Sequence, residues 1–174
     1  MEMQNGIRMM FNSNANRRRV LVGLGTGAAM PVLAACGSTP AQAKDFPIQL
    51  SEAEWQRRLS REEYRILRQE GTERSFTSPL NDEKREGTYH CAGCGNLIYS
   101  SKTKYESGTG WPAFYQAADA GAVGTSVDYK LGYPRTEVHC ADCGGHLGHI
   151  FGDGPPPTGK RHCINGVAMD FRPA

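Results

Sequence analysis

Two copies of one short cysteine turn constrain this chain more than any other feature. Cys91-Ala92-Gly93-Cys94-Gly95 and Cys140-Ala141-Asp142-Cys143-Gly144-Gly145 each bring two thiols toward one point, and the following Gly lets the backbone bend with its amides toward sulfur. Together the two turns offer the four ligands of a tetrahedral metal site, and one structural zinc per chain is the expected occupant. Residues 95–139 separate them, more than the usual zinc-finger gap, so a metal there joins distant parts of the chain. A redox-active Cys-x-x-Cys is the rival, but it usually opens a helix in a βαβ pattern, whereas a Gly after each pair predicts a tight turn. Two disulfides are a third possibility in an oxidising compartment.

The rest of the sequence bounds the fold around that site. A chain of 174 residues with 39% hydrophobic content has room for one sizeable core. Its 21 Gly and 10 Pro favour short strands and many turns, so the class is mainly β and antiparallel. Strands are expected at 88–90, 97–99, 126–129, 136–140, 146–151 and 167–171, with residues 152–159 as a turn-rich loop. Before them, Ser51-Glu52-Ala53-Glu54 and Ser60-Arg61-Glu62-Glu63 are capping boxes that open two short helices, with Gly71 expected as the stop of the second. The formal net charge of +2 supplies no basic face, which argues against nucleic acid as a partner.

The N-terminal segment reads as an address. Arg17, Arg18 and Arg19 precede an apolar run from Val20 to Ala35 that is too short to span a bilayer comfortably. The arginines resemble a twin-arginine export signal, and Leu33-Ala34-Ala35-Cys36 resembles a lipobox, cut before a Cys that then receives lipid. Residues 1–36 are therefore expected to be a signal segment, 37–45 a tether, and 46–174 the catalytic domain. The expected location is the periplasm or cell surface, with the membrane touched only through a lipid on Cys36. Gly37 lacks the Asp associated with inner-membrane retention. An ordinary signal peptide cut near Ala41 or Ala43, giving a soluble periplasmic chain, is the alternative. Either way Cys36 leaves the chemistry.

Of the six cysteines, Cys163 is then the thiol left to react. Lys160, Arg161 and His162 precede it, and positive neighbours are expected to lower its pKa and raise the thiolate fraction. Judged by these neighbours alone, a buried structural Cys is as good a reading. Two further motifs bear on it. In His146-Leu147-Gly148-His149-Ile150-Phe151, one or both imidazoles can face a pocket if Gly148 bends the strand. In Gly108-Thr109-Gly110-Trp111-Pro112-Ala113-Phe114, glycines and proline hold two large rings on a turn, which suits core packing or an apolar wall for a methyl or thioether group.

Taken in order, these four motifs resemble the B-type methionine sulfoxide reductases from about Phe46 to Phe171. The resemblance implies a tent-like antiparallel β-barrel with its zinc, held by Cys91, Cys94, Cys140 and Cys143, remote from the reacting thiol. It implies that Cys163 attacks the sulfur of a methionine-R-sulfoxide, in proteins and more weakly in the free amino acid, and is left as sulfenic acid. His146 and His149 match the pocket histidines, with His149 the preferred acid. Trp111, Phe114 and His146 would contact substrate, Asn165 would hydrogen-bond within the site, and Arg161 would support the thiolate. Many members carry a resolving Cys where this chain has Thr109, so an external thiol, from a thioredoxin-like partner or a small molecule, is expected to recycle Cys163. Readings from other classes are a zinc-ribbon binding module, which leaves Trp111 and Cys163 unexplained, and a thiol-based redox sensor or peroxidase.

Overall fold

A computed structural model describes residues 45–174; the expected signal segment, the lipobox at Cys36 and all but the last residue of the tether lie outside the described residues. Two short helices come first, α1 (Glu52–Arg58) and α2 (Arg61–Leu67). Both capping boxes form: Ser51 and Ser60 accept from the amides of Glu54 and Glu63, whose carboxylates accept in return from the cap amides. The end of α2 departs from expectation. The helix stops at Leu67, the left-handed conformation falls on Glu70 (φ 52) rather than on Gly71, and the Gly71 amide reaches back to the Arg65 carbonyl. The Glu70 carboxylate is paired with Lys130 at 2.6 Å, and this long-range tie accompanies the unusual backbone. Among the described residues no helix is long and apolar enough to cross a membrane.

Nine strands follow, all paired antiparallel: β1 (Gly87–Cys91), β2 (Leu97–Ser100), β3 (Lys104–Tyr105), β4 (Ala113–Phe114), β5 (Val123–Asp128), β6 (Arg135–Cys140), β7 (His146–Phe151), β8 (Arg161–Ile164) and β9 (Met169–Pro173). They form a three-stranded sheet in the order β2-β1-β9 and a six-stranded sheet in the order β3-β4-β8-β7-β6-β5. The class is mainly β, as the turn-rich composition implied. The short strands β3 and β4 and the strand carrying Cys163, β8, have no counterpart among the sequence expectations. Residues 167 and 168, expected to open the last strand, belong instead to a 3₁₀ turn (Gly166–Ala168) ahead of β9.

The core lies between the sheets and under the helices. Trp55, Ile66 and Leu67 from the helices meet Tyr89, Ile98, Tyr99, Val138, Leu147 and Ile164 from the strands. Phe114 is fully buried here, its ring stacked on Tyr99 at 4.4 Å and edge-on to Tyr89 at 5.0 Å. The expectation that Phe114 contacts substrate is therefore corrected: in β4 it pairs with His162 and points into the core, while its neighbour Ala113 pairs with Cys163.

Candidate functional site

The strand ladder builds the reacting group. In β8 alternate residues face opposite ways, so Arg161 and Cys163 share one face, while His162 and Ile164 turn to the other. In the β7–β8 pairing His149 lies opposite Cys163 and Phe151 opposite Arg161, which gathers an imidazole, a thiol, a ring and a guanidinium on one surface. Gly148 permits the close approach, because a Cβ at that position would lie 2.0 Å from the Cys163 carbonyl oxygen.

A bulge then brings in the second histidine. Pairing along β6 steps from Val138↔Gly148 to His139↔His146, leaving Leu147 as the extra residue. Residues three apart on a regular strand face opposite ways, but after this shift the His146 and His149 rings lie edge to face with centroids 5.4 Å apart. Each imidazole has its own carboxylate. His149 Nε2 is 2.7 Å from Asp128 Oδ2, and His146 Nδ1 is 2.7 Å from Glu137 Oε1. Asp128 is held down at about 2, chiefly by the Lys130 amide and then by His149, and Glu137 at about 2, chiefly by His146. An ionised carboxylate only accepts, so His149 Nε2 and His146 Nδ1 both donate. Nδ1 of His149 is the nitrogen left to take or give a further proton. Burial pushes the His149 pKa down, and Asp128 offsets part of that.

These groups border a recess of about 130 Å³, partly open to solvent. Trp111, His149, Phe151, Cys163 and Asn165 line it, together with Thr72 and Arg135. His146, expected to contact substrate, does not line it; it is buried behind His149. Arg161 stands beside the thiol with a two-pronged bond to Asp153, both contacts 2.9 Å, and its guanidinium 4.4 Å from the Phe151 ring centre. The turn-rich loop thus returns Asp153 to hold Arg161.

The thiol itself is not in the state its neighbours suggested. Burial pushes the Cys163 pKa up, and the Thr109 hydroxyl, 3.9 Å from the sulfur, and the Arg161 charge only partly offset it. The strand period keeps His162 from helping. His162 points away, its Nδ1 bonded to the buried Tyr99 hydroxyl at 3.0 Å, and burial holds its pKa at about 4, so it is neutral and lends the thiol no charge. A thiol so placed must be deprotonated locally before it can act as a nucleophile.

Two buried groups hold the recess in shape: Asn165, which the sequence singled out, and Glu73, which it did not. Asn165 donates from Nδ2 to the Leu147 carbonyl at 3.0 Å and accepts at Oδ1 from the Glu73 amide at 2.9 Å. Its amide is thus engaged by backbone, which makes it a positioning group. Glu73 is the hub of this corner: its carbonyl accepts from Trp111 Nε1 at 3.1 Å, and its carboxylate accepts from the amides of Gly166 at 2.5 Å and Val167 at 3.1 Å.

The four remaining cysteines of the described chain form a separate knot. Their sulfurs all lie within 4.8 Å of one another, with Cys91 to Cys143 at 3.7 Å and Cys94 to Cys140 at 3.5 Å. They are free thiols, far from the ~2.0 Å of a disulfide bond. A tetrahedron of sulfurs about 2.3 Å from a central ion has edges of about 3.8 Å, so the arrangement fits a bound metal of that size. Both turns use their glycines as expected: Gly95 (φ 81) and Gly144 (φ 68) donate to the carbonyls of Cys91 and Cys140. Cys91 ends β1 in one sheet and Cys140 ends β6 in the other, so an ion here ties the two sheets together.

Comparison with known proteins agrees with this arrangement. The family model described as SelR domain matches residues 59–173. The peptide methionine sulfoxide reductase MsrB of Leptospira interrogans is 50% identical over 128 residues, covering 74% of this chain and 98% of that protein. The protein of the same name from Thiobacillus denitrificans is 51% identical over 123 residues, covering 71% of this chain and 93% of its own. That of Methanosarcina barkeri is 50% identical over 125 residues, covering 72% and 88%. The motif order, the four-thiol knot and these matches agree: the chain belongs to the B-type peptide methionine sulfoxide reductase family.

Proposed function

We propose that this chain reduces methionine-R-sulfoxide in polypeptides, and more weakly the free amino acid, with Cys163 as nucleophile and an external thiol as reductant. One observation carries the reading: the Cys163 thiol opens onto a recess walled by Trp111 and Phe151, directly across the ladder from a carboxylate-paired His149. The apolar walls suit the methyl and thioether parts of the substrate. The Cys163 thiolate attacks the sulfoxide sulfur, and the oxygen takes a proton from His149 as its charge develops. The protonated oxygen then passes to the Cys163 sulfur, forming a new sulfur–oxygen bond there as its bond to the substrate sulfur and the sulfur–sulfur bond made in the attack both break. The substrate sulfur gains the electron pair that Cys163 loses, leaving methionine and Cys163 sulfenic acid.

Recycling follows from the cysteine inventory. Thr109 faces Cys163 with a hydroxyl where a resolving thiol would stand, and the other four described cysteines are gathered in the knot. A first external thiol would displace the sulfenic oxygen as water and form a mixed disulfide; a second would release Cys163. Zinc is the ion we assign to Cys91, Cys94, Cys140 and Cys143, on the all-thiolate donor set and its spacing. The export signal and the lipid on Cys36 remain part of the proposal on sequence grounds alone, tested by mass spectrometry of the mature N-terminus.

The experiment for activity is turnover of each sulfoxide epimer, free and peptide-bound, with an external thiol. Reduction of the R epimer by wild type and none by Cys163→Ser is the expected result; turnover of the S epimer, or persistence in the variant, contradicts it.

A further inference from the structure

We propose that the β5–β6 hairpin tip, residues 129–134, is the element that recognises the polypeptide around the oxidised methionine, taking substrates whose flanking side chains are apolar. This rests on the reductase reading above and names the substrate class it implies. Tyr129, Leu131 and Tyr133 are 66%, 60% and 54% exposed, an investment of apolar surface that the domain's own core does not use. The tip is tied to the recess on two sides. At its base, where Asp128 and Arg135 pair across the ladder, Asp128 holds His149 and Arg135 lines the recess. Along its length, Lys130 is bonded to Glu70 at 2.6 Å, two residues before the recess-lining Thr72.

The size of the recess makes the next step. A space of about 130 Å³ that is partly open admits one side chain with little of its backbone, so the residues before and after the sulfoxide must rest on the rim. The rim reaches the base of the hairpin, because Phe151, 36% exposed and already in the recess, follows Ile150, whose ladder partner Thr136 adjoins Arg135. Such a surface gains by covering Leu, Phe or Val neighbours and gains nothing from charged ones. The Gly132 turn, closed by its amide on the Tyr129 carbonyl at 2.8 Å, holds the three side chains on a short loop rather than a free tail.

The test separates docking from chemistry. Fluorescent peptides carrying methionine-R-sulfoxide between Leu and Phe, or between Ser and Glu, are titrated by anisotropy against Cys163→Ser protein. The hairpin in that protein is either intact or changed to Tyr129→Ser/Leu131→Ser/Tyr133→Ser. Binding of the apolar-flanked peptide is expected to be tighter on the order of ten-fold with the intact hairpin, a preference the triple change removes. Equal affinity for both peptides, or a preference that survives the triple change, overturns the proposal. So does a dimer that only the intact hairpin supports, because the tip would then be covered by a second copy. Turnover of N-acetyl-methionine-R-sulfoxide, with Cys163 present, is expected to be the same with either hairpin; its absence in both would count against the reductase reading and leave the binding result to stand by itself.

Discussion

Glu73 offers the sharpest structural prediction, because a single buried carboxylate closes the corner that carries Trp111 and Asn165. Its two oxygens accept from the amides of Gly166 at 2.5 Å and Val167 at 3.1 Å, and Glu73 is 4% exposed. Hydrogen bonds to a charged group contribute about 1.5–3 kcal/mol each, and removing the acceptor leaves two buried amides unpaired. Against that stands the cost of burying the charge, which pushes the Glu73 pKa up. Glu73→Ala is therefore expected to lose about 3 kcal/mol, and Glu73→Gln, which keeps one carbonyl acceptor, about half as much. The sign of the pH dependence follows from the raised pKa. The folded state binds this proton more tightly than the unfolded state, so the contribution of Glu73 is largest in acid and declines as pH rises from the ordinary 4.5 through the higher folded value. Urea unfolding of the metal-bound protein from pH 4 to 8, about one unit apart, measures both effects. An unchanged midpoint for Glu73→Ala, or a gap between wild type and Glu73→Gln that widens with rising pH, would refute the reasoning.

Other outcomes follow from the site. Asp128 raises the His149 pKa, so Asp128→Asn should move the alkaline limb of kcat/KM to lower pH; an unmoved limb would remove His149 as the acid. Thr109→Cys should let a sulfoxide-treated protein close a disulfide to Cys163, read as a fall in titratable thiols, since the Thr109 hydroxyl is 3.9 Å from that sulfur and lies between Gly108 and Gly110, both at positive φ. The variant should lose two titratable thiols on treatment where wild type loses one; a loss of only one would mean the two side chains do not meet. Stripping the metal should lower Tm by about 10 °C or more, because Cys91 and Cys140 end strands in different sheets; an unchanged Tm would show that the knot holds without an ion.

Much of the frame was legible because its signals are local. The capping boxes at Ser51 and Ser60 name both helix starts, and the Gly after each Cys pair marks both knot turns. The strand with His146 and His149 was expected with the bounds it has, but not the bulge at Leu147, which arises from pairing with β6. What escaped the sequence depends on partners far along the chain. Arg161-His162-Cys163-Ile164 shows no apolar alternation, because one face serves the recess and the other buries a neutral histidine against Tyr99. Burial outweighs Arg161 at the thiol, and the same alternation turns His162 away, so the three basic neighbours do not acidify it as expected. Glu73 meets Asn165 and Gly166, and Asp128 meets His149, only in the folded chain, and neither carboxylate sits in a motif.

In the proposed reaction Cys163 takes the oxygen from the sulfoxide and, among the described residues, has no thiol beside it to resolve the product. A single turnover tests it directly: reduced protein is mixed with methionine-R-sulfoxide without any reductant, and both the product and the Cys163 peptide are analysed by mass spectrometry. One methionine per chain is expected, with the Cys163 peptide heavier by one oxygen and reactive toward a sulfenic-acid probe. Methionine formed by Cys163→Ser protein, or a disulfide joining Cys163 to another cysteine of the same chain, would contradict it.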